Sequence, residues 1–411
     1  PLLGTDNAIR AQLRVGVETY KHHFGREPRG IWLPECAYRP GYKWTPPVGE
    51  DKTPRDRLGV EELLQEVGLR YFIVDSHLLE GGKPIGMYLA RFEGLMKLWE
   101  QFEQSQPAGP VPLASPHEMH WVGDIDNKHP VGVFTRLPST SLQVWSGEYG
   151  YPGDGNYLDF HKKHFPGGNR YWRVTSAKAD LGDKLLYEPK KVDGRLDENA
   201  DHFAELVKST LKSAEASGIE NPMICAPFDT ELFGHWWFEG IRWIERVIRK
   251  LQNTNGQPAT LSDTQDRMVV ASRITLPEGS WGEGGFHHIW LNQDTAWTWE
   301  IIYQCEAKMQ ELTEKYSNVE NPELQKALAQ LGRELLLLES SDWQFLISTV
   351  SARDYSEMRF NTHHRDFNRM AEIVELLAAG KILDEDISLH WEEIAERDSL
   401  FAHLNPAVWL K

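Results

Sequence analysis

Apolar residues occur first at helical and then at strand spacing. A stripe with a period of about 3.6 residues predicts a helix that Asp6 caps and that runs to about Phe24. The run GIWL at 30–33 predicts a short buried strand, residues 60–67 a second helix, and RYFIVD at 70–75 a second buried strand. A strand, a helix and a strand in this order are typical of a parallel α/β fold.

From residue 76 to about 193 the pattern is rich in turn residues, as in QSQPAGPVPLASP and GYPGDGNY. Strand-like pieces occur at 131–136 and 142–145. We therefore predict an inserted subdomain at about 76–193 with long loops.

The α/β pattern then resumes. A helix is predicted at 198–216, a buried strand in NPMICAPFD at 221–229, a helix at 235–252 and a strand at 268–272. Together with the earlier elements these predict an α/β domain over residues 1–276.

Residues 277–411 are expected to form a C-terminal all-α domain. Their apolar residues have helical periodicity, and the intervening loops are short enough for antiparallel neighbours. The predicted helices are 293–316, 322–340, 343–350, 355–379 and 386–403.

Composition excludes two classes of partner. The 411 residues include 61 acidic and 44 basic side chains, a net charge of −17, so no basic surface for nucleic acid or anionic lipid is expected. No apolar run approaches the roughly 20 residues that a membrane-spanning helix needs.

Cysteine and histidine positions indicate the compartment and the absence of a metal. Cys36, Cys225 and Cys305 are few and far apart, which favours a reducing cytoplasm over a disulfide framework. The histidine pairs at 287–288 and 363–364 lack partner ligands at useful spacing, so neither a metal site nor a cofactor is predicted.

Two acidic residues follow predicted buried strands. Glu35 comes after GIWLP and Asp229 after MICAPF. The carboxyl ends of parallel strands share one edge, so the two carboxylates can face each other there, an arrangement that suits cleavage of a glycosidic bond. The alternative is that each carboxylate caps a helix or pairs with an arginine.

The chain has 16 tryptophans, more than a core of this size usually holds. Aromatic rings fill cores, but they also stack on the apolar faces of sugars. The segment FDTELFGHWWFEG at 228–240 adds His235, which could bind a sugar hydroxyl or be an ordinary core histidine.

The stretches GIWLPECAY and APFDTELFGHWW resemble two signature regions of glycoside hydrolase family 57. The Glu-Cys pair after WLP resembles the 1,4-α-glucan branching enzymes of that family. The segment SSDWQFLISTVSARDYSEMRFNTHHRDF at 340–367 resembles their C-terminal helical domain. The resemblance thus extends over essentially the whole chain.

The resemblance implies an incomplete (β/α)7 barrel with Glu35 as nucleophile and Asp229 as general acid/base. It implies that the first βα units and their sugar-binding histidines precede residue 1, since the chain opens at PLLGTD. The sequence is therefore expected to be part of a longer protein. Further residues are expected to contact an α-glucan substrate, and we include among them Trp32, Trp145, Tyr149, Tyr151, His235, Trp281 and Trp290.

Of the two tyrosines, one would belong to a loop that favours transfer over hydrolysis, and the sequence leaves open which. The implied activity is retaining glycosyl transfer that breaks α-1,4 bonds and forms α-1,6 branches in a glycogen-like glucan. Two alternatives remain open at this point: an amylase or 4-α-glucanotransferase of the same family, and a non-catalytic glucan-binding protein.

Overall fold

The computed structural model describes residues 1–80, 114–123, 130–146, 150–176, 178–252, 254, 256–267 and 272–411. Its first helix, α1, spans Asp6–Phe24, as the apolar stripe predicts. The cap is Thr5 rather than Asp6, because the Thr5 hydroxyl accepts the N–H of Ala8 at 3.1 Å. The helix ends at Gly25, whose φ of 66° favours glycine.

Five of the seven described strands form one mixed sheet. The strands in chain order are β1 (Gly30–Trp32), β2 (Tyr42–Trp44), β3 (Arg55–Arg57), β4 (Tyr71–Asp75), β5 (His120–Val122), β6 (Val131–Arg136) and β7 (Arg273–Ile274). The sheet order is β1-β4-β6-β5-β7, and β2 pairs with β3 separately. The β1–β4 and β4–β6 pairs are parallel, whereas β5 runs antiparallel to β6.

The helices of the α/β part follow the strands. They are α2 (Val60–Glu66), α3 (His77–Glu80), α4 (Pro138–Trp145), α5 (Val192–Ala216), α6 (Gly240–Leu251) and α7 (Leu261–Arg267). Helix α2 connects β1 to the parallel neighbour β4, which confirms the predicted parallel α/β unit. The described strands form no closed barrel.

The C-terminal part is helical, as predicted. Its helices are α8 (Ala296–Tyr316), α9 (Pro322–Leu338), α10 (Asp342–Ser348), α11 (Arg353–Ala378) and α12 (Glu385–Arg397). One apolar core joins these helices to α1, through residues such as Ile9 and Leu331. The two parts are therefore held together by continuous apolar packing, which excludes water from both sides of the contact.

Three predicted elements differ from the structure. Residues 142–145, predicted as a strand, belong to helix α4. The segment 221–229 is not a strand and makes only a single parallel bridge, between Cys225 and Arg136. Helix α6 begins at Gly240 rather than near 235, because Gly234, at a φ of 95°, turns the chain first. Short apolar runs do not distinguish a strand from a helix, which accounts for the first error.

Two other predictions can be compared only in part with the described residues. Of the predicted strand 268–272, residues 268–271 lie outside the described residues, and β7 begins directly after Ser272. Strand β6 lies within the predicted insertion at 76–193 but has a central place in the sheet. The domain boundaries stay predictions.

Among the described helices, none combines the length and apolar character that crossing a membrane requires.

We expect Gly30→Ala to destabilise the fold at the strand that leads to the candidate site. A Cβ at Gly30 would lie 2.0 Å from the Tyr71 ring of the paired strand, so the ring or the strand must move. Overpacking of this kind costs about 1–3 kcal/mol. Urea unfolding should therefore give a lower midpoint for this variant.

Gly16→Ala is the matched control. Gly16 lies inside α1, and a Cβ there would meet no described atom within 4 Å. Alanine is the better helix former by about 0.5–1 kcal/mol, so this variant should be equally or more stable than the parent chain. Equal midpoints for the two variants would contradict the close contact at Gly30.

Candidate active site

Charged residues follow the carboxyl ends of neighbouring parallel segments. Asp75 is the last residue of β4, Arg136 is the last residue of β6, and the two are partners in the strand register. Glu35 follows β1 by three residues, and Asp229 follows the bridge at Cys225 by four. The common direction of these segments places all four side chains at one edge of the sheet.

Asp75 and Arg136 form a buried ion pair at this edge. Their side chains are joined by hydrogen bonds of 2.7 and 3.4 Å, and each residue is only 3% exposed. The N–H of Ser76 also donates to Asp75, at 3.0 Å. Because each charge is compensated, the pair can stay ionised in a site that excludes water.

Glu35 has a strained backbone. Its φ is 57° and that of Cys36 is 49°, both in the left-handed region that only glycine adopts freely. Each such residue costs about 1–2 kcal/mol. The conformation is maintained by the N–H of Trp281, which donates to the Glu35 carbonyl at 3.0 Å. Strain of this kind is concentrated at functional sites, and here it fixes the direction of the Glu35 side chain.

The Glu35 carboxylate accepts two hydrogen bonds from distant parts of the chain. The indole N–H of Trp281 donates to one oxygen at 2.7 Å, and the Ser341 hydroxyl donates to the other at 2.9 Å. Burial raises the pKa of Glu35, the two donors oppose that shift, and the nearby charges of Asp342 and Asp229 add to it. The donors therefore favour the ionised form against its surroundings.

Asp229 is the more strongly perturbed carboxyl group. Its pKa is raised from 3.8 to about 6 in total: burial raises it most, the charge of Glu231 also raises it, and the charge of Arg136 lowers it. The charge of Asp229 also acts on Glu35, so the two carboxylates influence each other. One anionic and one protonated carboxyl group is the combination that retaining glycosyl transfer requires.

Three of the predicted tryptophans form a cluster beside Glu35. The Trp281 ring packs edge-on against Trp32 at 5.4 Å and against Trp145 at 5.9 Å, between ring centroids. The guanidinium of Arg136 lies 5.1 Å from the Trp281 ring centroid. The indole N–H of Trp145 is buried and has no hydrogen-bond partner among the described residues, so it can donate to a ligand.

Trp290 and His235 lie in other surroundings. Trp290 is 4% exposed and packs in the core that joins α1 to the C-terminal helices. His235 is exposed, with its ring against Phe160 at 5.2 Å, and its carbonyl accepts a hydrogen bond from Arg170. The contacts of His235 do not include Glu35, Asp229 or the tryptophans around them. Sugar contacts by these two residues stay predictions.

The structure describes only one of the two candidate tyrosines. Tyr149 lies outside the described residues. Tyr151 is buried against Phe203, Trp237 and Trp243, and its hydroxyl is hydrogen-bonded to His202 at 2.7 Å. The ring and the hydroxyl of Tyr151 are thus engaged in this core, and its assignment to the loop that favours transfer stays a prediction.

An apolar cavity of about 680 Å³ adjoins Glu35 on the side of the strand β1 edge. Its walls come mainly from α1, β1 and the end of α9, and include Trp290 and Ser341. Asp229 and Trp281 are not among its wall residues. The cavity therefore reaches one of the two carboxylates but is separate from the aromatic cluster.

Sequence analysis missed three residues of the site. Asp75 and Arg136 are the last residues of predicted strands, so their position was a usable signal, but the importance of their pairing depends on strand order. Ser341 lies in SSDWQF, a stretch that the family resemblance had already brought out. Its contact with Glu35 spans 306 positions and has no local signature.

A second cluster of polar side chains lies among the C-terminal helices. Glu334, His363 and Asp398 place potential metal-ligand atoms within 4.8 Å of one another, so the expectation that His363 lacks partner ligands is wrong. His363 bonds Glu334 at 2.9 Å, Arg359 contacts the other ring nitrogen at 3.1 Å, and Arg397 donates to Asp398 at 2.8 Å. Arg397 compensates Asp398, and His363 and Gln330 bond Glu334, as in a structural polar network.

Comparisons with known proteins agree with this geometry. Residues 1–100 match the model of glycosyl hydrolase family 57, and residues 301–409 match that of the 1,4-alpha-glucan branching enzyme C-terminal region. A crystal structure of the Thermococcus kodakarensis branching enzyme TK1436, with glucose, is 40% identical, has a TM-score of 0.86, and is matched over 100% of this chain and 70% of that one.

The chain belongs to glycosyl hydrolase family 57. The branching enzyme of Pyrococcus horikoshii, another family structure, is 40% identical with a TM-score of 0.84, over 100% of this chain and 69% of that one. The alpha-amylase AmyC of Thermotoga maritima is 27% identical with a TM-score of 0.72, over 99% of this chain and 70% of that one.

The curated sequence of TK1436 is 42% identical over 98% of this chain. The chain spans 56% of the length of that family relative.

We expect Asp229→Asn to stabilise the folded protein at about pH 8 but not at about pH 4. Below about pH 4 the carboxyl is protonated in both the folded and unfolded states. Above about pH 6 it is ionised in both, and the folded state then bears the cost of the partly buried charge. Because the group is partly exposed, we expect a gain of about 1–2 kcal/mol in the free energy of unfolding.

Urea unfolding at the two pH values measures this gain. Asp180→Asn, which removes the same charge from an exposed position, is the control and should change stability equally little at both. A gain for Asp229→Asn that is independent of pH would contradict the raised pKa.

We expect Trp281→Phe to raise the pKa of Glu35, because the carboxylate loses a hydrogen bond that favours its ionised form. The acid limb of the pH profile of kcat/KM, measured with the full-length protein and amylose, should move to higher pH. Trp145→Phe also removes an indole N–H, but one without a described partner, and should leave the limb in place. Equal shifts in both variants would exclude the Trp281 hydrogen bond as the cause.

Proposed function

We propose that this chain is part of a 1,4-α-glucan branching enzyme, which cleaves α-1,4 bonds and transfers the glycosyl unit to a 6-hydroxyl. The observation that carries the proposal is the Glu35–Asp229 pair, in which one carboxylate accepts two hydrogen bonds and the other has a pKa raised to about 6. The match of residues 301–409 to the branching-enzyme C-terminal model supports this activity over others in the family.

The proposed reaction is a retaining double displacement. A Glu35 oxygen attacks the anomeric carbon, the bond from that carbon to O4 breaks, and Asp229 gives its proton to the departing O4. In the second step Asp229 takes the proton from the acceptor 6-hydroxyl, whose oxygen attacks the same carbon and releases Glu35. The raised pKa of Asp229 suits a group that must both give and take a proton.

The tryptophans suit an α-glucan substrate. Trp32, Trp145 and Trp281 form an aromatic cluster beside Glu35, and the indole N–H of Trp145, which has no described partner, can meet a sugar hydroxyl. We place Trp290 and His235 further along the same glucan chain, and we assign to either Tyr149 or Tyr151 the role of favouring transfer over hydrolysis. No cofactor or metal is needed for this chemistry.

We further propose that the sheet is part of an incomplete (β/α)7 barrel. Among the described strands β1 has a neighbour on one side only, and the apolar cavity beside it is lined by residues suited to pack against further βα units of a longer polypeptide. Three free cysteines fit a cytoplasmic location, and a role in glycogen synthesis would follow from the proposed branching activity.

The alternative to glycosyl transfer is hydrolysis of the α-glucan, and one observation favours it. The Thermotoga maritima protein, described as an alpha-amylase, shares 27% identity and the fold over 99% of this chain. Hydrolysis and transfer use the same two carboxylates and differ in whether water or a sugar accepts the glycosyl unit.

Incubating the full-length protein with amylose distinguishes the two outcomes. NMR counting of α-1,6 linkages should reveal new branches, whereas reducing ends without branches would support the hydrolase. Glu35→Gln should lower turnover by at least about 10³-fold, and Asp229→Asn by about 10²–10⁴-fold, with the fold retained.

Glu188→Gln, an exposed carboxylate paired with Lys191, is the control and should keep its turnover. Near-normal branching by Glu35→Gln would overturn the proposed mechanism.

A further inference from the structure

Arg136 contacts two other parts of the candidate site, Asp75 and the ring of Trp281. It is 3% exposed, lies at the end of β6, and pairs with Asp75 at 2.7 Å. Its guanidinium lies 5.1 Å from the centroid of the Trp281 ring. The mechanism proposed above assigns it no role, although a buried charge at this place is costly unless it serves the site.

The first consequence concerns the nucleophile. Trp281 bonds Glu35 through its indole N–H, so the orientation of the indole decides whether the carboxylate keeps that donor. A planar guanidinium attracts the electron-rich face of an indole ring, and Asp75 holds the guanidinium in place by two hydrogen bonds. The chain Asp75–Arg136–Trp281–Glu35 thus links strand register to the orientation of one carboxylate.

The second consequence concerns the other carboxylate. The positive charge of Arg136 acts on Asp229 and favours its ionised form, in opposition to burial and to the charge of Glu231. Other ionisable neighbours of Arg136 are Asp75, His77 and the buried thiol of Cys36. Arg136 is therefore the cation that limits how strongly Asp229 retains its proton.

We propose that Arg136 is a positioning residue of the site, held by Asp75, which orients Trp281 toward Glu35 and supplies the positive charge that acts on Asp229. This inference rests on the proposed function, because it concerns the same two carboxylates. Arg136 acts on Glu35 by stacking on Trp281, and it acts on Asp229 through its positive charge.

Two variants separate these influences. In Arg136→Gln with Asp75→Asn, the charges are removed together, so no buried carboxylate is left unpaired and the fold is preserved. Arg136→Lys keeps the positive charge but loses the planar group that stacks on Trp281. Arg195→Gln removes an arginine from an ion pair elsewhere, with Asp154 at 2.6 Å, and is the matched control.

The direct measurement is the titration of Asp229 in protein labelled with ¹³C at the aspartate carboxyl groups, with the signal assigned from its loss in Asp229→Asn. The double variant should titrate about 0.5–1 pH unit higher than the parent, because the favourable charge is gone. Arg136→Lys and Arg195→Gln should titrate as the parent does. An unchanged titration in the double variant would overturn the proposal.

Activity supplies the second readout. Arg136→Lys should lower kcat of the full-length protein and move the acid limb of its pH profile upward, as loss of the Trp281 hydrogen bond does. An unchanged acid limb would overturn the stacking role. The double variant could raise the pKa of Asp229 without moving the alkaline limb of the pH profile of branching. That result would contradict the role of Asp229 as general acid, but it would support the effect of the Arg136 charge on Asp229.

Discussion

The register between β4 and β6 pairs Asp75 with Arg136 as the last residues of two parallel strands. The other parts of the candidate site are arranged around that pair. Glu35 follows the parallel neighbour β1, and Asp229 follows the bridge that Cys225 makes with Arg136 itself. A one-residue slip would send the paired side chains to the opposite face, so the apolar packing that fixes the register also fixes the charges at the edge.

The site depends on side chains from both parts of the chain. Glu35 belongs to the α/β part, but Ser341, one of its two hydrogen-bond donors, lies just before helix α10. The core that joins α1 to the C-terminal helices holds these segments together. This packing also offsets the unfavourable features of the site, which are the left-handed backbone at Glu35 and Cys36 and the partly buried charge of Asp229.

Local pattern was enough to predict the parallel α/β unit, the C-terminal helices and the two carboxylates, because strand ends and helical stripes are visible in neighbouring residues. It was not enough for Ser341, whose partner lies 306 positions away. It also gave no indication of the rings that bury Tyr151, because a tyrosine in a glycine-rich stretch has no local signature of its packing partners. Likewise the run at 142–145 is too short for its periodicity to distinguish a strand from helix α4.

The electrostatic arrangement explains why two carboxylates in one site can have different protonation states. Glu35 accepts N–H and O–H donors that favour its anion. Asp229 is desolvated and lies near Glu231, which favours its protonated form, while Arg136 keeps that preference moderate. A carboxyl group with a pKa of about 6 gives up its proton readily and can also regain it. Stronger burial without the arginine would make Asp229 a poorer donor, and a closer arginine would leave it without a proton to give.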